Sequence, residues 1–304
     1  MTDFDVVTGA FSYSGAAIAE RLLARGRQVR TLTGHPGRAR AGTAIEVRPL
    51  DFGAPAELRE SLAGAHTLYN TYWVRFAHGQ ATHETAVTNS GRLFAAAAAA
   101  GVQRIVHVSI TNPSPTAADS YFRGKARVEQ ALADCGVPSH AIVRPAILFG
   151  GDGVLLNNIA WLLRRLPVFA IGGRGDYRLR PIHVADLAAL CVDLGARQDT
   201  STVDAVGPES ITFRRLVDAI RAAVGSHAVV VPVPGSVIPV LAGALGLTLR
   251  DRLLTAEEYR SMAAGLADST APATGTIAVT GWIAAHGDEL GRRYASELDR
   301  HFRR

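Results

Sequence analysis

Tyr121 and Lys125 close the run Tyr121-Phe122-Arg123-Gly124-Lys125, four residues apart, the separation that stacks two side chains on one helix face. A phenol ordinarily ionises near pH ~10, so acid–base work at neutral pH gains from a lower value, and an ammonium one turn away favours the phenolate by Coulomb attraction. The same ammonium can hold sugar hydroxyls. Upstream, Ser109 ends Val106-His107-Val108-Ser109, where its hydroxyl would meet a substrate carbonyl, with Thr111 as the nearby alternate. A Tyr–Lys pair at this spacing recurs by chance in many chains. The specificity lies in the order of the set: a turn that can hold a cofactor, a strand-end serine, then the Tyr–Lys helix.

The turn opens the chain. Phe4 to Thr8 reads as a short buried strand, Gly9-Ala10-Phe11-Ser12-Tyr13-Ser14-Gly15 as a small-residue turn, and Ala16 to Arg25 as a helix closed by Gly26. In a dinucleotide-binding entry, backbone N–H groups of Phe11 to Gly15 at the helix start face a pyrophosphate, and glycines such as Gly9 and Gly15 let two backbones approach closely. The spacing is G-x-x-x-x-x-G, with Ser12 where a middle glycine would stand. An ordinary βα turn shares this look, and the rest of the chain has to decide between them. After the second strand, Gln28 to Leu32, an NAD site would place an acid, yet none occurs before Glu46. Arg38, with Thr33 and His35, would instead meet a 2′-phosphate, which favours NADP; the alternative is a solvated loop arginine.

The elements that must position these groups alternate. Strands are expected at 45–50, 67–70, 104–108 and 140–144, with helices at 55–62, 82–100 and 120–134. Such alternation predicts an α/β fold with a doubly wound parallel sheet and right-handed crossovers. The alanine run at the end of the third helix suits close packing on that sheet.

Composition narrows the class. Hydrophobic residues make up 48% and charged residues 19% of 304, which fits a compact chain with a sizeable core and argues against disorder. The formal charge of +5 comes from scattered arginines with no basic block interleaved with aromatics, so nucleic acid is not an expected partner. Cys135 and Cys191 form no C-x-x-C motif, and the 10 histidines show no metal spacing; a reducing, cytoplasmic setting and no metal site are expected. With a first strand read at Phe4, no signal peptide is expected. Ala228 to Leu249 carries no charge over 22 residues, but Pro232, Pro234 and Pro239 interrupt it, so the reading is a strand–loop–helix in a second lobe rather than a membrane span. Trp161 and Trp282 read as core residues, and 289–304 as an amphipathic helix.

Further motifs line up along nearly the whole chain. They are Val7-Thr8-Gly9 with Gly15, Leu50-Asp51-Phe52, Val87-Thr88-Asn89-Ser90-Gly91, Arg144-Pro145-Ala146-Ile147-Leu148-Phe149-Gly150, Pro181-Ile182-His183-Val184-Ala185-Asp186-Leu187-Ala188, and Ala205-Val206-Gly207-Pro208-Glu209. Together the set resembles the short-chain dehydrogenase/reductase superfamily in its extended or atypical branch, which includes nucleotide-sugar epimerases and 3β-hydroxysteroid dehydrogenases. The resemblance implies a Rossmann-type fold with a smaller, discontinuous C-terminal substrate lobe. It also implies adenine contacts from Asp51 and Phe52, cofactor contacts from Asn70 and Thr71, and Pro145 beside the nicotinamide. Two departures stand out: Ser12 for the middle glycine, and bulky Tyr72-Trp73 where small residues often follow the fourth strand. His183 and Asp186 are expected to pack and to anchor a helix.

The expected organisation is a cofactor domain over 1–150, with 179–228 returning to it and 274–304 as a candidate return, and a lobe from 151–178 and 229–273. The expected activity is hydride transfer between NADP(H) and a carbonyl or alcohol of a small-molecule substrate. Tyr121 would be the acid/base, Lys125 its tuner and ribose ligand, and Ser109 the carbonyl orienter. The rivals are a sugar epimerase or dehydratase using the same residues, and a non-catalytic NAD(P) sensor or scaffold, as among NmrA-like regulators and complex I accessory subunits. A homodimer is the candidate assembly.

Overall fold

Short β-branched runs and amphipathic segments form the expected alternation in the computed structural model, which describes residues 4–39, 42–77 and 79–298. The chain begins β1 (Phe4–Thr8), α1 (Tyr13–Ala24), β2 (Gln28–Thr33), β3 (Glu46–Pro49), α2 (Pro55–Leu62), β4 (Ala65–Asn70), α3 (His83–Ala99), β5 (Arg104–Val108), α4 (Ser120–Ala133) and β6 (Ser139–Pro145). It continues β7 (Leu148–Phe149), α5 (Val154–Arg165), β8 (Val168–Gly172), β9 (Arg178–Leu179), β10 (Ile182–His183), α6 (Val184–Gly195), β11 (Ser201–Ala205), β12 (Ile211–Thr212) and α7 (Phe213–Ala223). The last elements are β13 (Val229–Val233), α8 (Val237–Leu249), α9 (Ala256–Ala263) and α10 (Val279–Ala285).

Seven strands make one parallel sheet in the order β11-β6-β5-β4-β1-β2-β3. The order reverses between β1 and β4. Ligands of open α/β sheets bind at that switch point, off the carboxyl ends of the strands.

The chain divides into two compact units, Met1–Pro145 with Ala185–Ala205, and Ala146–Val184 with Val206–Arg304. In the first unit, the core joins sheet residues Val6, Leu32, Leu68 and Ile105 to α3 residues Leu93, Phe94 and Ala97. Ala96 and Ala97 of the alanine run are buried there, where a larger side chain would hold the helix off the sheet. Two features tie down α6 and the strand after it. Buried Arg104 donates to the carbonyls of Leu194 (2.7 Å) and Asp199 (2.9 Å), and a Cβ on Gly195 would lie 1.9 Å from the Tyr69 hydroxyl.

The second unit has its own core. Phe213, Leu216, Val217 and Ile220 repeat at helical spacing on α7 and are buried with Leu156, Ile159 and Leu163 of α5 and Val279 and Ile283 of α10. Residues 206–228 and 274–298 belong to this second unit. His183 packs as expected, its ring edge-on to Phe149 at 5.2 Å and filling the space a Gly150 side chain would need. The uncharged stretch becomes β13, paired parallel with β8, followed by α8. No helix among the described residues is long and apolar enough to cross a membrane. The expected C-terminal helix does not form over 289–296, which is turn and irregular chain; residues 299–304 lie outside the described residues.

Candidate functional site

The glycine turn is built by backbone contact. Gly9 has φ +66°, its N–H donates to the Leu32 carbonyl at 2.9 Å, and the Ser12 N–H returns to the Gly9 carbonyl at 2.8 Å. A Cβ on Gly15 would lie 2.2 Å from the Gly9 oxygen, so α1 starts against the turn only because that position is glycine. Ser12 is the N-cap residue of α1, yet its side chain does not cap the helix. Its hydroxyl donates back to the Gly9 carbonyl at 2.6 Å, stapling the turn where a middle glycine would have left it open. The first-turn amides are therefore not engaged by the cap side chain, the condition an anion-binding helix start requires. Phe11, Ser12, Tyr13 and Ser14 are half-buried around it. These residues fit a dinucleotide pyrophosphate.

Beside the turn, a buried polar chain crosses the carboxyl ends of β1, β4 and β5. The Thr8 hydroxyl accepts the Thr71 N–H at 2.7 Å, and the Thr71 hydroxyl donates to the Thr8 carbonyl at 2.6 Å. The Asn70 Oδ1 accepts from Thr8 Oγ1 (3.2 Å) and the Tyr72 N–H (3.0 Å), which leaves its Nδ2 to donate to His107 Nδ1 at 3.0 Å. His107 is fully buried, and burial, with the nearby Lys125 charge, holds its pKa well below the usual value, so the ring is neutral with its proton on Nε2. Asn70 thus bridges three elements, its amide oxygen accepting twice and its nitrogen donating to His107, and it directs the chain exit that carries Thr71, Tyr72 and Trp73. Sequence reasoning missed Thr8 and His107, because two ordinary strand residues acquire this role only through pairing across the sheet.

At the other end of the crevice, β2 and β3 end side by side, with Thr33 paired to Pro49. The Thr33 hydroxyl accepts the His35 N–H at 3.0 Å, and Arg38 ends a single 3₁₀ turn, Pro36–Arg38. Asp51 accepts the Gly53 N–H at 2.7 Å, and the Phe52 ring lies 4.8 Å from that of Tyr72. The sheet therefore brings Thr33, Leu50, Asp51 and Phe52 to one edge. Arg40, in the same loop, lies outside the described residues.

Helix α4 carries the Tyr121–Lys125 pair. Asp119 caps it, accepting the Tyr121 N–H at 2.8 Å. Lys125 is buried, its Nζ donating to the Val108 carbonyl at 2.9 Å and lying 4.6 Å above the Trp73 ring. Burial brings its pKa down to about 7, against the opposing pull of Glu129. Trp73 and His83 lie with their planes 6° apart at 5.7 Å, and the Tyr121 ring meets both edge-on at 5.6 Å. A Cβ on Gly124 would come 2.8 Å from the Trp73 ring, which explains a glycine inside this helix. The Ser120 hydroxyl and His83 Nδ1 are 2.8 Å apart, joining the first residue of α3 to the first of α4.

Ser109 is differently employed than its position suggested. Its hydroxyl donates to Glu129 Oε1 at 2.5 Å, and Arg144 grips the same carboxylate through Nε (3.0 Å) and Nη2 (2.5 Å). A hydroxyl has one proton, so Ser109 can accept a hydrogen bond but has none left to give. Buried Thr111, whose N–H donates to the Pro145 carbonyl at 3.0 Å, is the neighbouring strand-end hydroxyl. Neither Glu129 nor Arg144 announced this pairing in sequence, although Glu129 stands four residues after Lys125, on the same helix face.

A family model described as NAD(P)H-binding matches residues 9–160, half of the chain. The chain belongs to this family. A (4-alkanoyl-5-oxo-2,5-dihydrofuran-3-yl)methyl phosphate reductase from Streptomyces griseus is 30% identical over 218 residues, covering 69% of this chain and 70% of that one. The mitochondrial NADH-ubiquinone oxidoreductase 40 kDa subunit of Neurospora crassa is 26% identical over 174 residues, 57% of this chain. The matched part spans 45% of the Neurospora subunit, less than half its length. An NADPH-dependent quinone oxidoreductase from Escherichia coli, solved with NADPH, shares the fold with a TM-score of 0.77 at 21% identity, covering 93% of this chain and 99% of that one. The Rossmann-type fold and NAD(P)-binding character expected from the sequence stand.

Proposed function

We propose that this chain is a cytoplasmic NADP(H)-dependent oxidoreductase acting on a carbonyl or alcohol of a small molecule. The observation that carries the reading is Tyr121 and Lys125 on one face of α4, with the Lys125 ammonium held at the carboxyl end of β5. Bound NADP(H) would supply or accept the hydride. The turn from Gly9 to Gly15 would hold its pyrophosphate, Thr33, His35 and Arg38 the 2′-phosphate, Asp51 and Phe52 the adenine, and Thr71 and Pro145 the nicotinamide half. Tyr121 would give its proton to the carbonyl oxygen. Lys125 would leave the Val108 carbonyl for the ribose and, once charged, favour the phenolate that results. Thr111 takes over the carbonyl-orienting role, because the Ser109 proton is committed to Glu129.

The substrate should be sought by following the loss of reduced-nicotinamide absorbance with ketones, quinones and other conjugated carbonyls. Turnover of at least one class is expected, and inertness with all of them while nucleotide binds tightly would favour a sensor or scaffold. The cofactor preference has its own test. NADPH should bind more tightly than NADH by about 1–3 kcal/mol if an arginine pairs with the 2′-phosphate. Calorimetric titration showing equal affinities would overturn NADP, and an unchanged preference in Arg38→Ala would exonerate that residue.

A further inference from the structure

The large exposed hydrophobic side chains of the described residues are Leu166, Val168, Val229, Val240, Leu241 and Leu247, and all of them fall on β8, β13, α8 or the turn into β8. They lie within the second unit. Val168 and Val229 are register partners at the start of the β8–β13 ladder, and α8 follows the far end of β13. On α8 the exposure is extreme, with Val240 at 69% and Leu247 at 83%. Large apolar side chains left exposed on one short helix and on the strand pair before it mark a surface that something covers.

Three features of α8 select the cover. Its sequence Val-Ile-Pro-Val-Leu-Ala-Gly-Ala-Leu-Gly-Leu-Thr-Leu is apolar on every side, and its one polar side chain, Thr248, bonds back along the helix to the Ala244 carbonyl at 3.4 Å. The surface of α8 itself therefore offers a partner only apolar contact. Its 13 residues reach about 20 Å, too short to cross the ~30 Å hydrocarbon core, so a membrane could receive it only along its surface. The flanking charge is basic. Arg250 and Arg252 are exposed just past the helix, Arg165 is exposed beside Leu166, and the intervening Asp251 is buried, its carboxylate accepting from the Tyr294 hydroxyl and the amides of Glu297 and Leu298.

We propose that α8 and the neighbouring β8–β13 edge form a docking face for an anionic lipid bilayer, with α8 lying in the interface and the arginines at the headgroups. This goes beyond the reductase reading and does not depend on it. The test is co-sedimentation of the full-length protein with vesicles of phosphatidylcholine alone and of phosphatidylcholine containing one third phosphatidylglycerol. Binding should be stronger to the anionic vesicles and weaken with salt. Leu247→Glu and Val240→Glu, both at exposed positions, should reduce it about tenfold or more while leaving the melting curve unchanged. Arg250→Gln should weaken binding to the anionic vesicles by about fivefold and leave binding to neutral ones alone. Absence of binding to both vesicles would overturn the proposal, as would binding that ignores the glutamate substitutions. A dimer in light scattering that Leu247→Glu splits would also overturn it, assigning the face to a second copy of the chain.

Discussion

The glycine turn and the face of α4 reach the same end by opposite means. At the turn the working groups are backbone amides, and the geometry depends on a missing side chain: a Cβ at Gly15 would stand 2.2 Å from the Gly9 oxygen. On α4 the working groups are side chains, and their character depends on what each one touches. Lys125 is not a solvated ammonium but a buried one with a pKa of about 7, and Ser109 is not a free donor but the third member of a Glu129–Arg144 pair. A backbone site tolerates almost any neighbour and no extra atom at the contact. A side-chain site tolerates atoms and fails when a partner changes.

The sharpest break is at the turn. Gly15→Val would drive its side chain into the Gly9 carbonyl, costing roughly 1–3 kcal/mol of stability or more and removing nucleotide binding altogether. Chemical denaturation and calorimetry would read the two effects; a stable variant with native affinity would show that the turn does not hold the cofactor.

On α4 the contrast lies between two neighbouring hydroxyls. Thr111→Val should lower turnover by about 10²–10³-fold, the usual cost of one donor to a developing oxyanion. Ser109→Ala should cost only about 1 kcal/mol of stability and leave turnover within roughly tenfold, because its hydrogen bond goes to Glu129. Kinetics of the two variants with one substrate decide the matter, and the reverse ranking would return the orienting role to Ser109.

A smaller effect sharpens the picture of Lys125. Its ordinary value is 10.5 and burial lowers it to about 7, so between those values the unfolded chain holds a proton that the folded chain has released. The nucleotide-free protein should therefore gain stability as pH rises through that window and lose it on return toward neutrality. Lys125→Met removes the titration, so its melting temperature should depend less on pH and should exceed the native value below pH 7. Parallel melting curves across the window would mean that Lys125 is solvated in solution.

How much of this was legible beforehand follows the same division. The glycines, the strand–helix alternation and the Tyr–Lys spacing are local, and each strand and α-helix from β1 to β6 lies within a few residues of where the pattern put it. Thr8, Asn70 and His107 were not legible as a chain, since they are 62 and 37 residues apart and meet only when β1, β4 and β5 pair. Gly124 was equally opaque. A glycine inside a helix reads as a weakness until Trp73, from a distant loop, is seen to occupy its space. Helix α7 is similar, since its apolar face is visible in the sequence but the core it joins is not.

The central claim is that Tyr121 donates the proton in a hydride transfer, and Tyr121→Phe tests it most directly. The substitution removes one hydroxyl and keeps the ring that meets Trp73 and His83 edge-on. NADPH affinity and turnover should be measured on the same preparation, with an acceptor that the native protein reduces. Unchanged affinity with turnover reduced by about 10²–10⁴-fold is the predicted result. Native turnover in the variant would contradict the mechanism outright.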